Sequence, residues 1–271
     1  MKTPFHVPSI YIQSRGEKST HVVLQLTRAA SRYVIRLTGG CGDMSPEDGT
    51  NLIDLFADAF QGGFKGALLF GGTRMLHRED PQIVLPSITE IAPIICQQSP
   101  ESVSLGVVPK TSVMRLTEYG MLVSEETGKG FFTVIHPQQN SCLVVQPSAD
   151  ELASWETEYE ECATIIEHLR QFAGWQSLLM CYNGGGVTEK ELLFHANQGW
   201  PVLLIAGSGR ITDRYAADDT FLNRFPNVHV VKKDSQLIRE ELLHCGALEE
   251  GGNQKPTFKL VTPYPSFRRS V

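Results

Sequence analysis

Leu178–Tyr215 reads LLMCYNGGGVTEKELLFHANQGWPVLLIAGSGRITDRY, the order being strand, glycine turn, helix, strand, glycine turn, helix. Leu178 to Cys181 is a short apolar run that stops at Asn183-Gly184-Gly185-Gly186. Thr188 to Gln198 then places Leu192, Leu193 and Ala196 on one side, with Gly199 as a stop. Pro201 to Ala206 is a continuous apolar run, the pattern of a strand buried on both faces. It breaks at Gly207-Ser208-Gly209, and Arg210 to Ala217 opens a second helix. Two such turns put two sets of backbone N–H groups at one sheet edge, a site suited to phosphate or another anion.

The same unit recurs upstream. Tyr33 to Leu37 runs into Thr38-Gly39-Gly40-Cys41-Gly42, and Gly66 to Phe70 runs into Gly71-Gly72-Thr73-Arg74. Between them Ser45-Pro46-Glu47-Asp48 predicts a helix start, followed by Leu52, Ile53, Phe56, Ala59 and Phe60 on one face. Val22 to Leu26 fits either a strand or a helix, Pro86 to Ile95 a helix broken by Pro93, and Val103 to Val108 and Cys142 to Gln146 strands. Residues 110–140 show no regular element apart from Phe131 to His136. A long helix is expected from a start at Pro147-Ser148-Ala149-Asp150 to Phe172. Its apolar stripe takes in Leu152, Trp155, Tyr159, Cys162, Ile166 and Leu169, opposite an exposed acidic face through Glu156, Glu158, Glu160 and Glu161. Val228 to Val231 and Ser235 to Cys245, with a capping serine, close the pattern. Alternating buried strands and amphipathic helices predict an α/β, Rossmann-like, doubly wound and mainly parallel sheet with helices on both faces. We expect one domain over residues 1–250 and a Gly/Pro-rich, basic tail over 251–271.

Composition narrows the partners. With 271 residues, a formal net charge of −6 and 41% hydrophobic residues, the chain suits an ordinary core and not a nucleic-acid binder. No apolar run approaches the roughly 20 residues of a membrane span. The six cysteines form no CxxC pair, and the eight histidines show no ligand spacing, so no metal site and no cofactor are expected. The expectation is a cytoplasmic protein with buried free thiols, a homo-oligomer being left open.

Any one glycine turn after a strand is ordinary. Four at one kind of position point to the ligand edge of an open α/β sheet. There is no GxGxxG of the dinucleotide type and no GxxxxGK[ST], so a standard dehydrogenase and a P-loop NTPase lose support. The candidate ligand-binding residues are Gly39, Gly40, Gly71, Gly72, Thr73, Arg74, Asn183, Gly184, Gly185, Gly186, Thr188, Glu191, Gly207, Ser208, Gly209, Arg210 and Asp213. Arg74 and Arg210 offer forked donors to phosphate oxygens. Alternatively, Arg74 is a loop arginine and Arg210 a surface partner of Asp213. Thr73, Thr188 and Ser208 either bind or cap. Glu191 either reaches a ribose hydroxyl or complements its helix dipole; in a hydrolase it would be the catalytic acid.

Asn183-Gly184-Gly185-Gly186-Val187-Thr188-Glu189-Lys190-Glu191 resembles the PGGxGTxxE motif of LOG-type nucleotide phosphoribohydrolases, with Asn183 in place of proline and Val187 in place of glycine. The fuller resemblance is to the SLOG superfamily branch found in melastatin-type TRP channels and stand-alone prokaryotic proteins. It runs through Gly39-Gly40, Gly71-Gly72-Thr73, His136, Trp155-Glu156-Thr157-Glu158, Asn183 to Gly186, and Gly207-Ser208-Gly209-Arg210 with Asp213. That resemblance implies a Rossmann-like domain that binds or senses a nucleotide-derived ligand, ADP-ribose-like or cyclic-nucleotide-like. The Arg-Lys pair of the phosphoribohydrolases has no equivalent here, Val113-Met114-Arg115-Leu116 being a poor substitute. Hydrolysis of a nucleotide or NAD glycosidic bond is therefore the alternative, and whether the chain is an enzyme stays open.

Overall fold

The structure, a computed structural model, describes residues 8–15, 20–40, 44, 46–80, 84–85, 87–110, 114–117, 120–127, 131–146 and 154–249. Cys41-Gly42, Ser45, the helix start at Pro147 to Asp150 and the tail 251–271 lie outside those residues.

The chain opens with β1 (Ser9–Ser14), α1 (Thr20–Leu26) and β2 (Tyr33–Thr38). Val22 and Leu26, four residues apart, are both buried, so the ambiguous segment resolves as helix. Next come α2 (Pro46–Ala59), β3 (Ala67–Phe70), β4 (Thr73–His77) and β5 (Val84–Leu85). A single 3-10 turn (Ile88–Glu90) leads into α3 (Ile91–Gln98), where Pro93 sits in the first turn and is tolerated because that N–H has no helical acceptor. β6 (Val103–Pro109), β7 (Met114–Thr117), β8 (Gly120–Thr127), β9 (Phe131–Ile135) and β10 (Ser141–Gln146) follow, then α4 (Trp155–Ala173). The chain continues through β11 (Gln176–Cys181), α5 (Gly186–Asn197), β12 (Val202–Ala206), α6 (Arg210–Ala216), α7 (Asp219–Arg224), β13 (Val228–Lys232) and α8 (Ser235–His244). The cap of α8 is Asp234, whose carboxylate accepts the Leu237 N–H, and not the expected Ser235.

Eight strands form one parallel sheet in the order β1-β10-β6-β3-β2-β11-β12-β13. The fold is doubly wound and Rossmann-like. Its six inner strands are near-continuous apolar runs because both faces are covered, whereas the edge strands β1 and β13 are partly exposed. One face packs Ile35, Leu37, Leu68 and Phe70 against Phe56 and Phe60 of α2, Ile91 of α3 and Ile238 of α8. On the other face Val34, Leu69 and Leu105 meet α1 and α4, and Leu179 and Leu204 meet α5 and α7.

Residues 110–140 add β7 and β8 to the expected strand at Phe131, and with β4 and β5 these form a second sheet. It is antiparallel, in the order β5-β4-β9-β8-β7, with a register shift between Val123 and Thr127. The α4 helix is also turned relative to the expected stripe. Thr157, Glu158 and Glu161 are buried, Trp155 and Tyr159 only partly so. Two carboxylates enter the interior because partners await them: Arg36 of β2 for Glu158, and Gln13 of β1, whose Nε2 donates to Glu161 at 3.2 Å.

Candidate functional site

Strands β3, β2, β11 and β12 are consecutive neighbours, so the turns at Gly71-Gly72, Gly39-Gly40, Asn183–Gly186 and Gly207–Gly209 stand side by side at the carboxyl edge. The chain adds β3 and β6 on one side of β2, then returns to add β11 and β12 on the other. The topological switch point thus falls between β2 and β11, where open α/β sheets take their ligands. The turns approach closely there: a Cβ on Gly39 would lie 2.0 Å from the Tyr182 carbonyl oxygen.

The two turns from the decisive stretch are latched together. The Asn183 N–H donates to Ser208 Oγ at 2.8 Å, and the Asn183 carbonyl accepts from Thr212 N at 3.1 Å and Thr212 Oγ1 at 2.8 Å. Asn183 and Arg210 are the two non-glycine residues with positive φ among those described, at 60° and 48°. Each such residue costs about 1 kcal/mol or more and persists only where its surroundings hold it. Asp213 Oδ1 accepts from Gly207 N at 2.7 Å and Ser208 N at 3.1 Å, so those two amides are used inside the turn. The side chain of Arg210 instead reaches across to the β11 turn, its Nη2 3.2 Å from where a Cβ on Gly185 would sit.

Beneath the switch point lies a buried ionic cluster. Arg36, 2% exposed, places Nε 2.6 Å from Glu191 Oε1 and Nη2 2.7 Å from Glu158 Oε1. Its Nη1 has no hydrogen-bond partner among the described residues. Burial raises the Glu158 carboxyl to about 7; Glu191 adds to the rise, and Arg36 only partly opposes it. Glu158 also accepts from the Cys162 thiol at 3.5 Å, and its Oε1 lies 4.0 Å from the Cβ position of Gly71, with Trp155 at 3.8 Å from the same point. Thr38 and Thr188 hydroxyls meet at 3.5 Å above the cluster. His195 is fully buried, burial holding its imidazole down at about 4.

Sequence reasoning missed Arg36 and the burial of Glu158, and neither of its readings of Glu191, a ribose contact or a complement to the helix dipole, included the ion pair with Arg36. The legible signal was the arginine in the middle of YVIRL: a guanidinium in a strand covered on both faces requires carboxylates opposite. Arg74 does not stand open at the edge. It is 6% exposed in β4, with Nε 3.0 Å and Nη2 2.5 Å from Glu90 Oε2, and Nη2 3.1 Å from His136 Nε2. Burial pushes Glu90 up, but His136 and Arg74 outweigh it and hold the carboxyl at about 2. Burial also keeps His136 below its ordinary range, which leaves Arg74 as the counter-ion at neutral pH. A cation that sequence reasoning did not single out stands at this edge: Lys233, just past β13, has Nζ 5.6 Å from the centroid of the Tyr182 ring.

The family described as "SLOG in TRPM, prokaryote" matches residues 95–245, more than half of the chain. The chain belongs to this family. The matched span of the SLOG chain includes Glu158, Glu191, Arg210 and the two downstream turns, and begins after Arg36 and the two upstream turns. No curated protein matches. Among solved structures, the X-ray structure of TM1055, a structural-genomics target, is 13% identical, with 79% of this chain and 99% of that chain covered and a TM-score of 0.45. No helix among the described residues is long and apolar enough to cross a membrane.

Proposed function

We propose that this SLOG chain binds a nucleotide-derived ligand, ADP-ribose-like or cyclic-nucleotide-like, at the carboxyl edge of β3, β2, β11 and β12, and serves in the cytoplasm as a sensor of it. The observation that carries the reading is the alignment of four glycine turns on four neighbouring parallel strands around the switch point. The amides of Gly71-Gly72 and of Gly184 to Gly186, with the α5 N-terminus behind them, suit a diphosphate. Arg210 and Lys233 supply the positive charge, Thr188 and Asn183 polar contacts, and half-buried Trp155 beside Gly71 an apolar surface for a base. Gly39 lets the β2 turn close against the Tyr182 carbonyl, and Gly40 follows it at the same edge. Thr73 and Arg74 anchor the β3 turn from below, and Ser208, Gly207, Gly209 and Asp213 shape the β12 turn that aims Arg210. This proposal treats residues 1–250 as one domain.

Titration calorimetry with ADP-ribose tests it. Wild type should bind one equivalent, and Arg210→Ala should weaken binding at least tenfold with its melting curve unchanged. Equal affinities would remove Arg210 and the proposed pocket.

A second reading, glycosidic hydrolysis, is favoured by one observation: two carboxyls on one arginine, of which Glu158 is held near 7, the condition a general acid needs. Glu191, doubly engaged by Arg36, fits that role less well than Glu158. Release of free base or ribose phosphate by wild type, abolished in Glu158→Gln, would make the chain an enzyme; ligand recovered intact excludes it.

A further inference from the structure

Away from the glycine turns, His229 of β13 faces the C-terminal end of α8. Its Nδ1 lies 2.6 Å from Glu241 Oε1, and Cys245 Sγ lies 3.3 Å from the same oxygen. One nitrogen, one carboxylate oxygen and one sulfur thus fall within 4.8 Å of one another. Glu241 and Cys245 are four residues apart and share a helix face, while the strand supplies the histidine. The sulfur is well fixed. Cys245 caps α8, its N–H donating to Glu241 O at 2.9 Å, and the following turn is pinned by Ala247 N to Leu242 O at 2.8 Å, with Ala247 and Leu248 buried in the core.

We propose that His229, Glu241 and Cys245 form a site for a divalent zinc-type ion that ties the edge strand β13 to the last helix. Mixed nitrogen, oxygen and sulfur donors in a small cluster suit a borderline-soft tetrahedral ion better than magnesium or calcium, which take oxygen. The negative end of the α8 dipole adds to the attraction. Three protein ligands leave a fourth position for water. It adjoins a groove of about 440 Å³ lined by Glu241, His244, Val230 and Leu237, with the His244 ring 6.2 Å from that of His229. On binding, the Cys245 thiol proton leaves to solvent, Glu241 coordinates as the carboxylate and His229 donates a neutral Nδ1 lone pair, so ion and ligands together are uncharged. The three donors lie between residues 229 and 245, but on two elements and with one histidine among them, which is why histidine spacing alone did not show the site.

The test uses the full chain, stripped with a chelator and titrated with Co²⁺ and then Zn²⁺. One equivalent of Co²⁺ should give a sulfur-to-metal charge-transfer band and the visible bands of tetrahedral cobalt, both bleached by Zn²⁺. Cys245→Ser should lose the charge-transfer band, and His229→Ala should lower Zn²⁺ affinity at least tenfold. Cys96→Ser, at a cysteine outside the cluster, should change neither. Zn²⁺ should raise the melting temperature of wild type and not of His229→Ala. Octahedral cobalt spectra without the charge-transfer band, or Zn²⁺ binding indifferent to both variants, would overturn the site. Should Cys245→Ser fail to fold, His229→Ala decides alone, because His229 lies on an edge strand and is about one-third exposed.

Discussion

Arg36 shows how a single buried charge organises the ground beneath the proposed pocket. At 2% exposure its guanidinium is tolerable only because Glu191 and Glu158 close on it from α5 and α4. Arg36→Met leaves two carboxyls facing each other and should cost about 3–5 kcal/mol in urea unfolding at pH 7; a loss below about 1 kcal/mol would contradict the pairing. Glu158 gives a pH signature. Its carboxyl titrates near 4.5 when unfolded and near 7 when folded, so the folded chain keeps a proton that the unfolded chain has lost. The stability this contributes is complete below pH 4.5 and lost as pH rises through 7. Glu158→Gln should match wild type near pH 4.5 and gain roughly 3 kcal/mol on it by pH 8. Parallel stability–pH curves for the two proteins would refute the raised carboxyl. At this scale the sequence was read in half. The glycines, Arg210 and Asp213 were visible because turn chemistry is local. The burial of Glu158 and Glu191 was not, since it depends on an arginine more than 120 residues away in the chain.

Among the elements, the six inner strands of the parallel sheet could be read from apolar runs, because parallel strands covered on both faces write their burial directly into composition. The mostly exposed edge strand β1, helix α1 and the short helix α7 could not be assigned that way. Of the antiparallel sheet, β9 showed as Phe131 to His136, while β4, β5, β7 and β8 did not. Strand β8, GMLVSEET, carries few apolar residues and a register shift, and its order comes from its neighbours. This sheet leaves the central one through Gly72, whose Cα would lie 2.3 Å from a Cβ on Gly106 of β6; Gln139 Oε1 would lie at 1.9 Å. Gly106→Val should therefore force β4 and β6 apart and destabilise by about 3 kcal/mol or more, read as a lower melting temperature. A melting temperature equal to wild type would contradict the close crossing.

On the scale of the whole molecule, a net charge of −6 sits beside an edge where Arg210 and Lys233 stand over glycine turns, so attraction of an anion is local and not global. Lys233→Ala should weaken ADP-ribose binding several-fold, less than Arg210→Ala, and both losses should shrink in high salt. Salt-independent affinity for wild type would argue against a phosphate-bearing ligand. The most direct measurement is native mass spectrometry of the purified chain against AMP, ADP-ribose, cyclic ADP-ribose and NAD, with the bound species released and identified. The expected result is one intact nucleotide-derived ligand per chain, absent from Arg210→Ala. No adduct with any of the four, or a ligand recovered only as base and ribose phosphate, would contradict a binding site at the glycine edge that senses without cleaving.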